Sequence, residues 1–196
     1  METRYPDWDV MNNADHWDEH TANLIQKRLD NPGSLKFFKK QEAQLLHAIC
    51  VRLLADADEH SVGQVLAHID KQLAENISAG YWQVGIPEGQ VLYRKGLHGV
   101  EETAKAQFRQ GFMELDSRQQ TEVLKAIADG HAQGNTWTKL PAQKFFKQLL
   151  QDAIEIYASL PTVWSAMGYA GPAYPRGYVR IELGATDPWE AREPHA

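Results

Sequence analysis

Apolar residues return at helical spacing through most of the chain. Leu45, Leu46, Ile49, Cys50, Leu53 and Leu54 fall at the intervals that share one helix face, so the pattern predicts a helix from about Lys40 to Ala55. A second stripe, Val62, Val65, Leu66, Ile69 and Leu73, follows Ser61 and Gln64, a pair with the spacing of a capping box. Leu97, Val100, Ala104 and Phe108 predict a helix from about Leu97 to Arg109. Val123, Leu124, Ile127 and Ala128 predict another, opened by the capping pair Asp116 and Gln119 and stopped by Gly130. The most apolar helix follows Pro141, which suits a first helical turn, and carries Phe145, Phe146, Leu149, Leu150, Ala153, Ile154 and Tyr157. Near the start, Trp17, Leu24, Ile25 and the stem of Arg28 share a face of a helix capped by Asp15 and ended after Leu29 by Asn31-Pro32-Gly33. Residues 1–14 read as an arm lying on the surface.

The helical pattern lapses twice. Residues 75–96 are punctuated by Gly80, Gly85, Pro87, Gly89 and Gly96 and anchored by Tyr81, Trp82 and Tyr93, which predicts a long loop of the kind that usually carries function. The second lapse is larger. After Leu160-Pro161 and a short turn at Thr162–Met167, the chain becomes a run of Tyr169, Gly171, Pro172, Tyr174, Pro175, Gly177 and Tyr178. Proline and glycine at this density exclude a regular helix. A disordered segment would be poor in aromatics, whereas this one holds three tyrosines within ten residues. It is therefore read as extended and ordered, with side chains that need a surface to lie against. Val179 to Leu183 alternates like a strand but is too short to stand alone.

The resulting expectation is an all-α fold: an irregular helical bundle of about six helices with an extended Gly/Pro/Tyr-rich C-terminal arm. It is taken as a single domain, with an N-terminal arm and first helix at 1–36, a helical core at 37–158 and a C-terminal arm at 159–196 packing on core and partner. The chain's 196 residues are enough for one real core.

Charge narrows the partners. The formal net charge is −6 and no basic stripe is present, so the chain is not expected to bind nucleic acid. No apolar run is long enough to span a membrane. The N-terminus lacks the basic and apolar segments of an export signal, which makes the expected compartment cytoplasmic as written, or periplasmic if a leader has been removed or export is separate. The lone Cys50 excludes an internal disulfide and any cysteine-rich metal site held by this chain alone, and its apolar neighbours predict a buried, inert thiol.

Candidate chemistry is sparse. His16 and His20 are four apart, yet Asp18 and Glu19 between them do not form the order of a zinc protease, and a solvated face is the favoured reading. The other histidines lack ligand spacing or a motif-bound nucleophile, and no glycine-rich phosphate loop follows a strand. No catalytic, cofactor-binding or metal residue is assigned. Trp164, Tyr169, Tyr174, Tyr178 and Trp189 either close the end of the helical core or form a binding surface, since aromatics and arginine are enriched at interface hot spots.

The succession Phe37-Phe38, Ile69-Asp70-Lys71-Gln72-Leu73, Tyr93-Arg94-Lys95-Gly96-Leu97, Phe112 to Leu124, Phe145-Phe146 and above all Trp164 to Tyr178 resembles the gluconate 2-dehydrogenase subunit 3 family over about residues 37 to 189. One departure is that Pro161 is followed by Thr162-Val163-Trp164 instead of the family's common Gly-Gly-Asn. The resemblance implies a small, non-catalytic accessory subunit of a heteromeric sugar, polyol or sugar-acid dehydrogenase. Its partner would be a flavoprotein large subunit of the glucose–methanol–choline type, which holds FAD and passes electrons to a cytochrome subunit or another acceptor. The small subunit would support folding and stability of the large one. On that reading the partner-binding residues are Trp164, Tyr169, Gly171, Pro172, Tyr174, Pro175, Arg176, Gly177 and Tyr178. Two other readings stay open: a self-contained helical enzyme using histidine and carboxylate acid–base chemistry, and a stand-alone helical module for a small ligand or metal.

Overall fold

The computed structural model describes residues 3–29, 34–55, 57–77, 85–179, 182 and 185–192. Among them lie the helices α1 (Glu19–Leu29), α2 (Lys40–Leu53), α3 (Glu59–Ala74), α4 (Gly89–Phe108), α5 (Ser117–Ala128), α6 (Ala142–Ala158) and α7 (Pro161–Met167), with 3-10 turns at Val10–His16, Phe112–Glu114 and Thr136–Thr138. No strand occurs among the described residues, only an isolated antiparallel bridge between Trp17 and Pro175. The all-α expectation is met. The strand-like Val179 to Leu183 falls largely outside the described residues, as do Gly80, Tyr81 and Trp82.

Two compact units divide the chain, residues 32–155 in one and residues 1–31 with 156–196 in the other. In the first, α2 packs with α3, α4 and α5. Its core joins the α2 stripe (Leu45, Leu46, Ile49) to the α3 stripe (Val62, Val65, Ile69) and to Leu92, Val100, Val123, Ile127, Phe145 and Leu149. Ile154, expected in the apolar stripe of α6, is instead 48 % exposed.

Helix starts shift for identifiable reasons. The Asp58 side chain accepts from the Ser61 N–H at 2.9 Å, so α3 opens at an aspartate cap and not at the Ser61–Gln64 pair. Its carboxyl is held below the usual range: burial opposes this, and the Ser61 hydroxyl and N–H outweigh it. Asp116 and Gln119 do form the expected reciprocal box. Helix α4 begins at Gly89, about two turns before the expected Leu97. Gly96, expected as loop punctuation, and Gly99 sit inside it because two rings press on the helix backbone. A Cβ on Gly96 would fall 2.0 Å from the Phe145 ring, and one on Gly99 would fall 2.4 Å from Trp137.

Several polar side chains set into this core are tied to specific partners. Tyr93 is buried and donates its hydroxyl to Asp152 Oδ2 at 2.6 Å, while Gln148 donates to Asp152 Oδ1 at 2.8 Å. Burial pushes the Asp152 carboxyl up, against the pull of these two donors. Thr103 accepts from Trp137 Nε1 at 2.9 Å and lies 2.8 Å from the Gly99 carbonyl. Asp70 is 2 % exposed and gathers the backbone N–H groups of Lys36, Phe37 and Phe38 at 2.6, 3.0 and 2.8 Å. That carboxylate ties the segment entering α2 to α3. Asp70→Asn would turn an NH2 toward at least one of these donors, and a loss of about 2 kcal/mol is expected; urea denaturation at neutral pH measures it.

Candidate partner-binding surface

The second unit interlocks the two ends of the chain. The N-terminal segment, expected as a surface arm, is built into the core of this unit: Val10, Trp17, Ile25 and Trp164 form its apolar cluster, with Met11, Ala14 and Ala22 against it. Residues 10–16 wind as a 3-10 turn, begun by Asp9 accepting from the Met11 N–H at 2.9 Å. The next helix is opened by Asp18 and not by Asp15. Asp18 accepts from the Thr21 N–H at 3.1 Å, and the Thr21 hydroxyl, with that N–H, lowers its pKa. His16 and His20 therefore lie on different elements, and the helical i, i+4 geometry does not apply to them. His16 packs near Trp189, with ring centroids 6.4 Å apart.

Long-range hydrogen bonds seat the C-terminal segment. The Thr3 hydroxyl donates to the Ala166 carbonyl at 2.8 Å, and the Val10 N–H donates to Ser165 Oγ at 3.0 Å. Buried Asn13 donates from one amide nitrogen to the carbonyls of Ala170 at 3.2 Å and Trp189 at 3.1 Å. Asp187 is fully buried and accepts from the Val179 N–H at 2.9 Å. Gly171, at φ +79°, lies so close to Trp17 that a Cβ would meet its ring at 2.5 Å. Asn13→Ala leaves the Ala170 and Trp189 carbonyls without this donor. A loss of about 2 kcal/mol in unfolding free energy is expected, with early protease cleavage in residues 170–190 as a second readout.

This seating sorts the residues expected to bind a partner. Trp164 turns inward, 8 % exposed; its Nε1 donates to the Ala158 carbonyl at 2.6 Å and the Arg28 guanidinium lies over its ring at 5.7 Å. Gly171 is buried against Trp17. Arg176, expected among the partner-binding residues, bends back onto its own chain instead. Its Nη2 donates to the Ala170 carbonyl at 2.6 Å, and its guanidinium lies 5.1 Å from the Trp189 ring centroid. Burial draws its pKa down, while Tyr169, Tyr178, Asp187 and Glu190 pull the other way. Pro172 is half-buried, and Pro175 and Gly177 are exposed. Tyr169 packs edge-on against Trp164 at 5.5 Å yet stays partly exposed, and burial with the neighbouring Tyr178 raises its pKa. Tyr174 and Tyr178 face solvent at 71 % and 63 % exposure, Val179 is exposed next to Tyr178, and Met167 is exposed at the end of α7.

Cys50, His47 and His68 lie elsewhere in structural settings. Burial pushes the Cys50 thiol up to about 12, so it is inert at neutral pH. His47 pairs with Glu59 at 2.9 Å, and His68 Nδ1 lies 2.8 Å from the Gln64 carbonyl. Among the described residues, no group of three histidine, cysteine or carboxylate side chains is placed to hold a metal ion, and no helix is long and apolar enough to cross a membrane.

Fold and surface together define an all-helical protein that holds aromatic side chains outward on a pinned C-terminal segment. The chain belongs to the gluconate 2-dehydrogenase subunit 3 family, whose model matches residues 40–171. Neither the curated proteins nor the solved structures give a match. Members of the family are subunits of a multi-subunit gluconate dehydrogenase. The matched region holds Trp164, Tyr169 and Gly171, and ends before Tyr174 and Tyr178.

Proposed function

We propose that this chain is the accessory small subunit of an FAD-dependent dehydrogenase of the glucose–methanol–choline type, forming a heterodimer in which the larger flavoprotein carries FAD and the catalytic residues. The observation that carries this reading is the exposure of Tyr174 and Tyr178 on a backbone anchored from below by Asn13, Asp187 and the bridge to Trp17. Tyrosine supplies large contact area at low conformational cost, and a backbone already ordered lowers what association has to overcome. Family membership supports the same role. Docking here stabilises the flavoprotein by mass action, because the small subunit binds its folded form.

Co-expression of the flavoprotein with and without this chain tests the proposal. The expected result is a soluble, yellow, active large subunit that co-purifies with this chain and is lost to aggregation without it. A large subunit equally soluble and active alone overturns the stabilising role.

A further inference from the structure

The unit formed by residues 32–155 carries an open apolar cleft of about 630 Å³ between α2, α3 and the 3-10 turn at Phe112–Glu114. Its floor is Phe38, Ala43 and Leu66, all buried. At its lips stand Leu35 and Met113, 39 % and 51 % exposed, large apolar side chains left facing water. The volume lies within the range of about 300–1,000 Å³ typical of sites for small organic ligands, and a mostly apolar lining with few polar groups is their usual composition.

The charged groups at the rim determine which ligand fits. Glu59, a mostly exposed carboxylate, lies 2.9 Å from His47, an ion pair only when that imidazole is protonated. Glu42, on the same helix as Lys40 but not lining the cleft, is engaged by Arg94 at 3.0 Å. Lys40 reaches the cleft and has no ion-pair partner among the described residues, so the rim offers a cation beside an apolar bed. We infer that the cleft binds a small anionic amphiphile, an aliphatic carboxylate of medium chain length, with the tail over Phe38, Ala43 and Leu66 and the head at Lys40. The site lies wholly within this unit and does not depend on the flavoprotein reading.

Titration calorimetry of the full chain with dodecanoate, kept below its micelle concentration, tests the assignment. One-to-one binding is expected. Lys40→Gln should weaken it by about fivefold, the scale of an exposed ion pair, with 1-dodecanol binding unchanged. The pair Leu35→Gln and Met113→Gln, both at exposed positions, should weaken dodecanoate and dodecanol alike, by about tenfold. Tyr174→Ser should alter neither. Absence of binding at millimolar dodecanoate overturns the inference, as does equal affinity for dodecyltrimethylammonium or an unchanged affinity in Lys40→Gln. Loss of dodecanoate binding in the assembled complex overturns it in favour of a protein contact at this cleft.

Discussion

Gly96→Ala should lower the unfolding free energy by about 3 kcal/mol or more, the upper end for overpacking a filled core. The new Cβ would lie 2.0, 2.2 and 2.4 Å from three atoms of the Phe145 ring, distances that no small adjustment relieves. Phe145 has little room to retreat, being 1 % exposed and packed edge-on against Tyr93 and beside Trp137. The same substitution at Gly63 provides the control. There nothing lies within 4 Å of the added methyl, and the residue is interior to α3, so Gly63→Ala should stabilise by about 0.5–1 kcal/mol. Urea unfolding of both variants reads the two opposite signs. Equal shifts would mean that the ring does not rest on the α4 backbone.

The second large effect concerns association. Under the proposed function, Tyr174→Ser with Tyr178→Ser should weaken association with the flavoprotein by about a hundredfold, the scale of losing one strong aromatic anchor once non-additivity is allowed for. The isolated chain should unfold within about 0.5 kcal/mol of the unaltered protein, because both side chains are mostly in solvent. A companion Trp164→Ala should do the reverse and damage the chain itself, since that ring is buried in the cluster with Val10, Trp17 and Ile25. Surface plasmon resonance on the separated subunits, alongside thermal melts, distinguishes the two classes. Unimpaired binding by the double tyrosine variant places the contact elsewhere on the chain.

How far the sequence could be read follows from the range of the interactions. Helices α2, α3, α5 and α6 are legible because burial of one face imposes a local period, and Asp116 with Gln119 is legible because both partners lie within one turn. The early start of α4 is not. Its glycines resemble loop punctuation until Phe145 and Trp137, more than thirty residues on, are known to need a bare backbone beneath them. The caps at Asp18 and Asp58 lost to neighbours in the sequence reading, since several polar residues near each helix start can serve. In the C-terminal segment, tyrosine, proline and glycine mark an ordered, extended chain from composition alone. Which side chains turn inward is set by Asn13, Trp17 and Asp187, and nothing local announces them. Asn13 reaches carbonyls 157 and 176 positions away. Arg176 illustrates the same limit: its type suggested a partner-binding residue, and its position above Trp189 makes it an internal brace.

The pairing of the two chain ends in one unit bears on synthesis at the ribosome. Residues 32–155 are translated before residues 156–192, and domains tend to form in order of synthesis. Val10, Asn13 and Trp17 must wait longer, because the groups that cover them lie 155 and 157 positions on and, for Trp17, at Pro175. The tyrosine-bearing face is thus assembled only after residues 165–187 have been made, so nascent chains that stop short of them would lack the feature by which a partner could select them.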